Sequence, residues 1–166
     1  MILLLKSRNK EKIIVDPPNP VDPPTVGGIP YSGLRCGDYF YKQIMFAKKS
    51  IYICSPWISA SYAEQFVELA RKGIKVTIIT SDQKNNEETV ETLTMYKNQS
   101  KFDFRIMPKL HTKMYLADNS LVVDGSANFT KTGLWNQQNN ITIYNNFQDY
   151  KKFENIFFEI WDKSKN

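Results

Sequence analysis

Residues 111–118 read His-Thr-Lys-Met-Tyr-Leu-Ala-Asp. The mixture of apolar, aromatic and β-branched residues predicts a β-strand, in which successive side chains point to opposite faces of a sheet. His111, Lys113 and Tyr115 then share one face, and the apolar side chains between and after them face the other. The pattern therefore places a histidine and a lysine close together, with a core-forming face behind them.

The strand is predicted to turn and to return along a second strand that leads into residues 125–128, Gly-Ser-Ala-Asn. A Gly-Ser turn before a short helix exposes backbone N–H groups, which favour the binding of an anion. Ser126 adds a hydroxyl and Asn128 an amide. Together with Lys113, these groups predict a phosphate pocket in which His111 is placed to attack phosphorus.

The chain outward from this stretch alternates between strand and helix periodicity, which is typical of an α/β domain. Helices are predicted at 36–49, 61–72, 86–97 and 147–163, and strands at 50–55, 75–80, 102–106, 112–116, 121–123 and 139–144. Strands and helices alternate first, several strands follow, and a helix ends the chain. This order predicts a mixed β-sheet flanked by helices on both faces.

Residues 1–29 differ in composition from the remainder. Five prolines lie between residues 16 and 24, which excludes a helix or a central strand and predicts an extended linker. We expect an N-terminal arm with a Pro-rich linker at 1–29 and one catalytic domain at 30–166. The apolar start is shorter than a secretory signal, and no run approaches the ~18 apolar residues of a membrane span. We expect a cytoplasmic protein without stable membrane insertion.

The charge of the chain narrows the class of partner. It carries 22 basic and 17 acidic residues, a net charge of +5. This balance favours an anionic partner, such as nucleic acid or a lipid headgroup, although a modest positive charge also serves solubility alone. Two cysteines and one histidine do not make a zinc site, which takes four such ligands at short spacings. We predict neither a metal nor a cofactor.

The spacing of the motif residues resembles the signature of the phospholipase D superfamily. The pattern is His-x-Lys, four residues, Asp, six residues, Gly-Ser-x-Asn, and it is met by His111, Lys113, Asp118, Gly125, Ser126 and Asn128. The segments that precede and follow the motif, Ser55-Pro56-Trp57 and Phe129-Thr130, also resemble the family. The resemblance extends over residues 30–164 and implies the phospholipase D-like fold.

The chain carries the motif once, and the resemblance then implies a symmetric homodimer with one composite site at the subunit boundary. One His111 attacks phosphorus and forms a phosphohistidine, while His111 of the partner subunit protonates the leaving oxygen and later activates water. Lys113 and Asn128 stabilise the charged five-coordinate phosphorus without a metal ion. Asp118 and Gly125 are expected to be structural, Asp118 by bonding backbone at the turn.

One residue departs from the pattern of the single-motif nucleases that the chain resembles. These proteins often have a glutamate in an Asn-x-Glu-Asn stretch that orients the histidine. The matching segment here is Asn-Gln-Gln-Asn at 136–139, which places Gln138 where the acid is expected. A neutral amide can hold an imidazole, but it stabilises the imidazolium less well than a carboxylate does.

Four further residues are candidates for substrate contact. Trp57 follows a predicted strand and can line the mouth of the site and stack on a base, or can belong to the core. Arg105, Lys109 and Lys131 flank the motif and can contact a polyanion backbone, or can be solvated surface residues.

These observations predict a metal-independent phosphodiesterase, a nuclease that cleaves DNA or RNA through a phosphohistidine. The small size, the single motif and the basic charge favour nucleic acid over phospholipid. A phosphodiesterase acting on a phospholipid such as cardiolipin is the first alternative. A nucleic-acid-binding module that has lost catalysis is the second, and Gln138 is its main support.

Overall fold

The computed structural model describes residues 27–165. The predicted N-terminal arm and Pro-rich linker lie outside the described residues, except for their last three positions. The described chain begins with a strand that runs directly into the predicted catalytic domain.

Seven strands and five helices make up the described chain. They are β1 (Ile29–Gly33), α1 (Gly37–Met45), β2 (Ser50–Cys54), α2 (Ala60–Arg71), β3 (Lys75–Thr80), α3 (Glu87–Met95), β4 (Phe102–Ile106), β5 (Met114–Ala117), β6 (Leu121–Gly125), α4 (Lys131–Trp135), β7 (Asn139–Asn145) and α5 (Phe147–Lys163). The strands form one sheet in the order β1-β7-β6-β5-β2-β3-β4.

The sheet is mixed, as the sequence predicts. Strands β2, β3 and β4 run parallel to one another, whereas β5, β6, β7 and β1 join as antiparallel neighbours. The parallel half meets the antiparallel half between β2 and β5. At this seam, the end of β2, the start of β5 and the end of β6 lie at the same edge of the sheet.

Each face of the sheet carries its own core. Helices α1, α2 and α3 contribute Phe40, Phe66 and Leu93 to one core, and α5 contributes Phe157 and Trp161 to the other. Strand β5 supplies alternate side chains to the two: Tyr115 and Ala117 to the first, Met114 and Leu116 to the second. The predictions of alternation in this strand and of helices on both faces are therefore confirmed.

Two elements differ from the sequence prediction. Strand β1 was not predicted, because its segment Ile-Pro-Tyr-Ser-Gly contains a proline and little apolar pattern; it lies at the edge of the sheet, where proline is tolerated. Strand β5 begins at Met114, not at Thr112. His111 therefore lies in the connection that precedes β5.

Within the described residues, none of the helices combines the length and the hydropathy needed to cross a membrane.

Both cysteines are buried as free thiols, Cys36 in the core beneath α1 and Cys54 in the core beneath α5. Burial raises the pKa of Cys36 to about 11 and that of Cys54 to about 12. At pH 8 each thiol is then at most about one part in a thousand thiolate, which is the reactive form.

We expect no release of nitrothiobenzoate from native protein treated with Ellman's reagent, and two equivalents per chain in guanidinium chloride. Rapid reaction of one thiol in the native protein would contradict the burial of that side chain.

Candidate active site

The segment before β5 holds the first two motif residues. Leu110 is buried in the core beneath α5, and its N–H donates to the carbonyl of Met107. The burial of this side chain and this hydrogen bond together fix the segment. His111, directly after Leu110, is exposed, whereas Lys113 is only 7% exposed. The anchoring of Leu110 thus presents the imidazole to solvent at the seam of the sheet.

Lys113 and His111 form a close pair. The ammonium Nζ of Lys113 donates to the carbonyl oxygen of His111 at 2.6 Å and lies 3.3 Å from its Nδ1. Burial lowers the pKa of Lys113. Because an ammonium group can only donate, a hydrogen bond between the two side chains requires a lone pair on Nδ1. The neutral ring then carries its proton on Nε2 and its lone pair on Nδ1.

The Gly-Ser-Ala-Asn turn packs closely on the start of β7. A Cβ atom on Gly125 would lie 2.2 Å from the carbonyl oxygen of Asn140, so that only glycine fits. The Ser126 hydroxyl donates to Oδ1 of Asn139 at 2.8 Å and accepts from the N–H of Asn140 at 3.0 Å. Ser126 therefore ties the turn to β7 while still lining the cleft, and its contact with phosphate stays a prediction.

Two residues that the sequence analysis missed hold the turn from beneath. The buried Ser55 hydroxyl accepts from the N–H of Phe129 at 3.1 Å and donates to the carbonyl of Trp57 at 2.8 Å. The Tyr115 hydroxyl donates to the carbonyl of Ala127 at 2.5 Å. The alternation of side chains along β5 predicted that Tyr115 points to this face of the sheet. Its partner on the turn, Ala127, is 12 positions away, and no local pattern in the sequence indicates this hydrogen bond.

Asp118 lies at the other end of β5 from the histidine. It forms a hairpin turn with Asn119, both at positive φ, and its carboxylate accepts from the N–H groups of Lys48, Lys49 and Ser50 at 2.7, 2.7 and 3.2 Å. Seven positions of extended chain separate Asp118 from His111, about 20 Å. This arrangement fits the structural role expected from the sequence and places the carboxylate far from any chemistry at the imidazole.

A cleft of about 670 Å³ brings most of the predicted site residues together. Its lining includes His111, Lys113, Ser126, Asn128, Gln138 and Trp57. The Oδ1 atom of Asn128 is buried and accepts no hydrogen bond from the described part of the chain. Asp124 also lines the cleft and was missed by the sequence analysis; burial raises the pKa of its carboxyl group. The cleft thus combines an imidazole, a buried ammonium and an unsatisfied amide.

Gln138 lies in the cleft but does not bond to the imidazole of its own chain within the described residues. Its side chain is exposed just before β7, and it makes no hydrogen bond with His111 within residues 27–165. The group next to Nδ1 is the Lys113 ammonium. The role of Gln138 as the residue that orients the histidine stays a prediction, and its place in the lining of the cleft is compatible with a contact across the proposed two-fold axis.

The three predicted cationic contacts do not line the cleft. The guanidinium of Arg105 donates to the carbonyl of Trp161 at 2.9 Å and stacks 4.4 Å from the centre of its ring. This guanidinium packs α5 against β4, which is three strands away from β5 at the edge of the sheet. This corrects the expectation that Arg105 contacts substrate. Lys109 and Lys131 are exposed and lie outside the lining of the cleft.

No group of three or more histidine, cysteine, aspartate or glutamate side chains within residues 27–165 is placed to hold a metal ion.

Comparisons with known proteins identify the fold and the family of the chain. A family model described as "Cardiolipin synthase, PLD-like domain" matches residues 40–161. Among solved structures, Nuc from Salmonella typhimurium, described as a phospholipase D family member, aligns with a TM-score of 0.66 at 19% identity, over 83% of this chain and 97% of that one. NucT from Helicobacter pylori aligns with a TM-score of 0.65 at 17% identity, over 84% and 98%. The archaeal chromatin protein TrmBL2, whose structure is described as showing a novel mode of DNA binding, aligns with a TM-score of 0.64 at 14% identity, over 84% and 53%. No curated protein sequence matches the chain.

Proposed function

We propose, since the chain belongs to the phospholipase D superfamily, that it is a metal-independent nuclease. The observation that carries the proposal is the meeting of His111, Lys113 and Asn128 in one open cleft. An imidazole supplies a nucleophile or a proton, and a buried ammonium with an amide stabilises the charge that builds up on phosphoryl oxygens.

The proposed site is shared by two copies of the chain. One cleft offers one imidazole, and the reaction needs two, because one nitrogen bonds to phosphorus while a second group protonates the leaving oxygen. A two-fold axis at the mouth of the cleft supplies the second as His111 of the partner subunit. Two lysines and two asparagines then surround the phosphate.

The reaction proceeds in two displacements. Nε2 of one His111 attacks phosphorus, the P–N bond forms, and the P–O bond to the leaving group breaks as His111 of the partner subunit donates its proton to that oxygen. The partner's imidazole then takes a proton from water, whose oxygen attacks phosphorus while the P–N bond breaks. The donating histidine starts as an imidazolium, with N–H on both ring nitrogens, and its Nδ1–H turns away from the Lys113 ammonium that lies beside Nδ1 in this structure. The attacking copy turns its Nδ1–H toward another acceptor.

Nucleic acid is the proposed substrate. The net charge of +5 favours a polyanion, and a structural relative, TrmBL2, is described as binding DNA. The description of the matching family as cardiolipin synthase keeps a phospholipid as the second candidate. The two substrates present the same phosphodiester to the cleft and differ in what flanks it.

Incubation of the protein with each of the two candidate substrates, nucleic acid and phospholipid, decides the substrate class. We expect the full chain to degrade plasmid DNA or single-stranded oligonucleotides in the presence of excess EDTA, as followed on gels, because Lys113 supplies the positive charge that a metal would otherwise provide. Cardiolipin vesicles should remain intact under the same conditions. Release of a lipid headgroup without cleavage of any polynucleotide would reassign the substrate. Binding of DNA without cleavage, with or without EDTA, would indicate a module without catalysis.

A further inference from the structure

A second cleft of about 590 Å³ adjoins the candidate active site. It lies over the start of α2 and beside α3 and α4, and it shares two lining residues with the first cleft, Trp57 and Asn128. The two clefts are therefore neighbours on either side of these residues, and a chain long enough to cross Trp57 can occupy both. Each volume lies within the range typical of sites for small molecules.

The chemistry of the second cleft differs from that of the first. Its lining holds the hydroxyls of Ser59, Ser61, Thr130 and Thr132, and the amides of asparagines. No lysine or arginine is among its described lining residues, and Glu88 is the charged one. A phosphate would meet a carboxylate here and no cation, whereas an uncharged group rich in hydrogen-bonding atoms would find partners.

Trp57 forms the wall between the two clefts, and its position is fixed. Its indole Nε1 donates to the carbonyl of Lys84 at 3.3 Å, and its own carbonyl accepts from the buried Ser55 hydroxyl. The ring is partly exposed, and none of the ring contacts within residues 27–165 involves it. An immobilised, unstacked indole is a platform on which a nucleic acid base can stack.

Asn128 marks the same boundary from the other side. Its buried Oδ1 accepts no hydrogen bond from the described residues, although a buried acceptor is normally paired. A ligand donor reaches this oxygen only after the Asn128 side chain turns, because the atom is closed to solvent in the described structure. The boundary between the clefts thus combines an exposed aromatic face with an amide whose oxygen has no partner of its own.

We infer that the second cleft is a subsite for the unpaired nucleoside next to the phosphate held at His111. The inference rests on the proposed nuclease activity and adds to it. The base stacks on Trp57, and its polar edge and the sugar meet the hydroxyls, the amides and Glu88. Because a base in a duplex stays stacked and paired, it cannot enter, so the chain prefers single-stranded nucleic acid.

Obstruction of the subsite tests this inference. Ser61 is exposed, its side chain makes no hydrogen bond within the described chain, and a tyrosine there would fill the cleft. Ser61→Tyr in a His111→Ala background should weaken the binding of a fluorescein-labelled single-stranded 12-mer about 10-fold, the effect of losing one stacked base. Ser100→Tyr, which makes the same change at an exposed position outside the linings of both clefts, is the matched control and should leave the affinity unchanged.

The same titrations with a duplex of the 12-mer complete the test. The parent background should bind the single strand about 10-fold more tightly than the duplex, and Ser61→Tyr should remove most of that preference. Equal affinity for the two forms, or an unchanged single-strand affinity in Ser61→Tyr, would overturn the subsite. Without any substitution, cytidine added to the ¹⁵N-labelled chain should shift the amide signals of residues 59–61 and 130–132, and shifts confined to the segment around His111 would contradict it.

The proposed nuclease and the subsite fail separately. Hydrolysis of bis(p-nitrophenyl) phosphate, a phosphodiester without a base, by the unmodified chain reports on the chemistry at His111 alone. If the unmodified chain does not hydrolyse this compound, the proposed nuclease function is wrong. If the chain hydrolyses this compound but shows no preference for single strands, only the subsite is wrong.

Discussion

A one-to-one mixture of the unmodified chain and its His111→Ala variant, once the subunits have exchanged, will show about one quarter of the phosphodiesterase activity of the same total amount of unmodified chain. The reason is that a composite site needs His111 from both subunits. Half of the dimers in such a mixture are mixed, and each of these lacks one imidazole. Initial rates with bis(p-nitrophenyl) phosphate, measured across a series of mixing ratios, would trace a quadratic dependence on the fraction of unmodified chain.

The His111→Ala variant alone should lose at least about 10⁴-fold in kcat, since neither the phosphohistidine nor proton transfer can form. Asp162→Ala, an exposed position in α5, serves as the mixing control and should keep full activity at every ratio. A linear dependence, with about half the activity at the one-to-one ratio, would mean that each chain works independently. A chain that sediments as a monomer while it is active would contradict the composite site as well.

Asp118→Ala should lower the free energy of unfolding by about 3 kcal/mol, the largest loss of stability that we expect from a residue outside both cores. The carboxylate accepts three backbone N–H groups at the connection into β2, which no other described side chain bonds. Urea denaturation followed by circular dichroism would measure the loss. Asp118→Asn, which keeps one carbonyl oxygen, should lose less.

Activity separates this role from a catalytic one. Because Asp118 lies about 20 Å of extended chain from His111, the folded variant should keep its kcat at a temperature well below its midpoint of unfolding. Asp162→Ala, which removes a carboxylate that makes no hydrogen bond in the described chain, should change stability by no more than about 0.5 kcal/mol. A loss of kcat without a loss of stability would assign Asp118 to the chemistry instead.

The sequence predicted the elements whose periodicity is strong. The bounds of β3, β4 and α5 agree with their predicted ranges, because the β-branched run of β3, the alternation of β4 and the apolar stripe along the 17-residue α5 leave little ambiguity. Strand β1 was missed because an edge strand is specified by its partner, β7, and not by its own composition. The start of β5 was misplaced because the pattern of alternation continues into the connection that carries His111.

The candidate site was predicted as far as spacing along the chain defines it. His111, Lys113, Ser126 and Asn128 meet in one cleft, as their motif implies. Arg105 was misjudged because its neighbourhood in sequence says nothing about α5, which covers it from 56 positions away. Ser55 was missed for the same reason, since its bond to Phe129 joins segments 74 positions apart.

That bond has a consequence for when the protein becomes active. Ser55 can hold the Gly-Ser-Ala-Asn turn only after β5 and β6 have been added beside β2, and Gly125 can settle only against β7. Contacts between such distant segments close late in folding, because the entropy of long loops must be lost first. During synthesis on a ribosome, His111 therefore emerges before β7, whose contact with Gly125 completes the cleft.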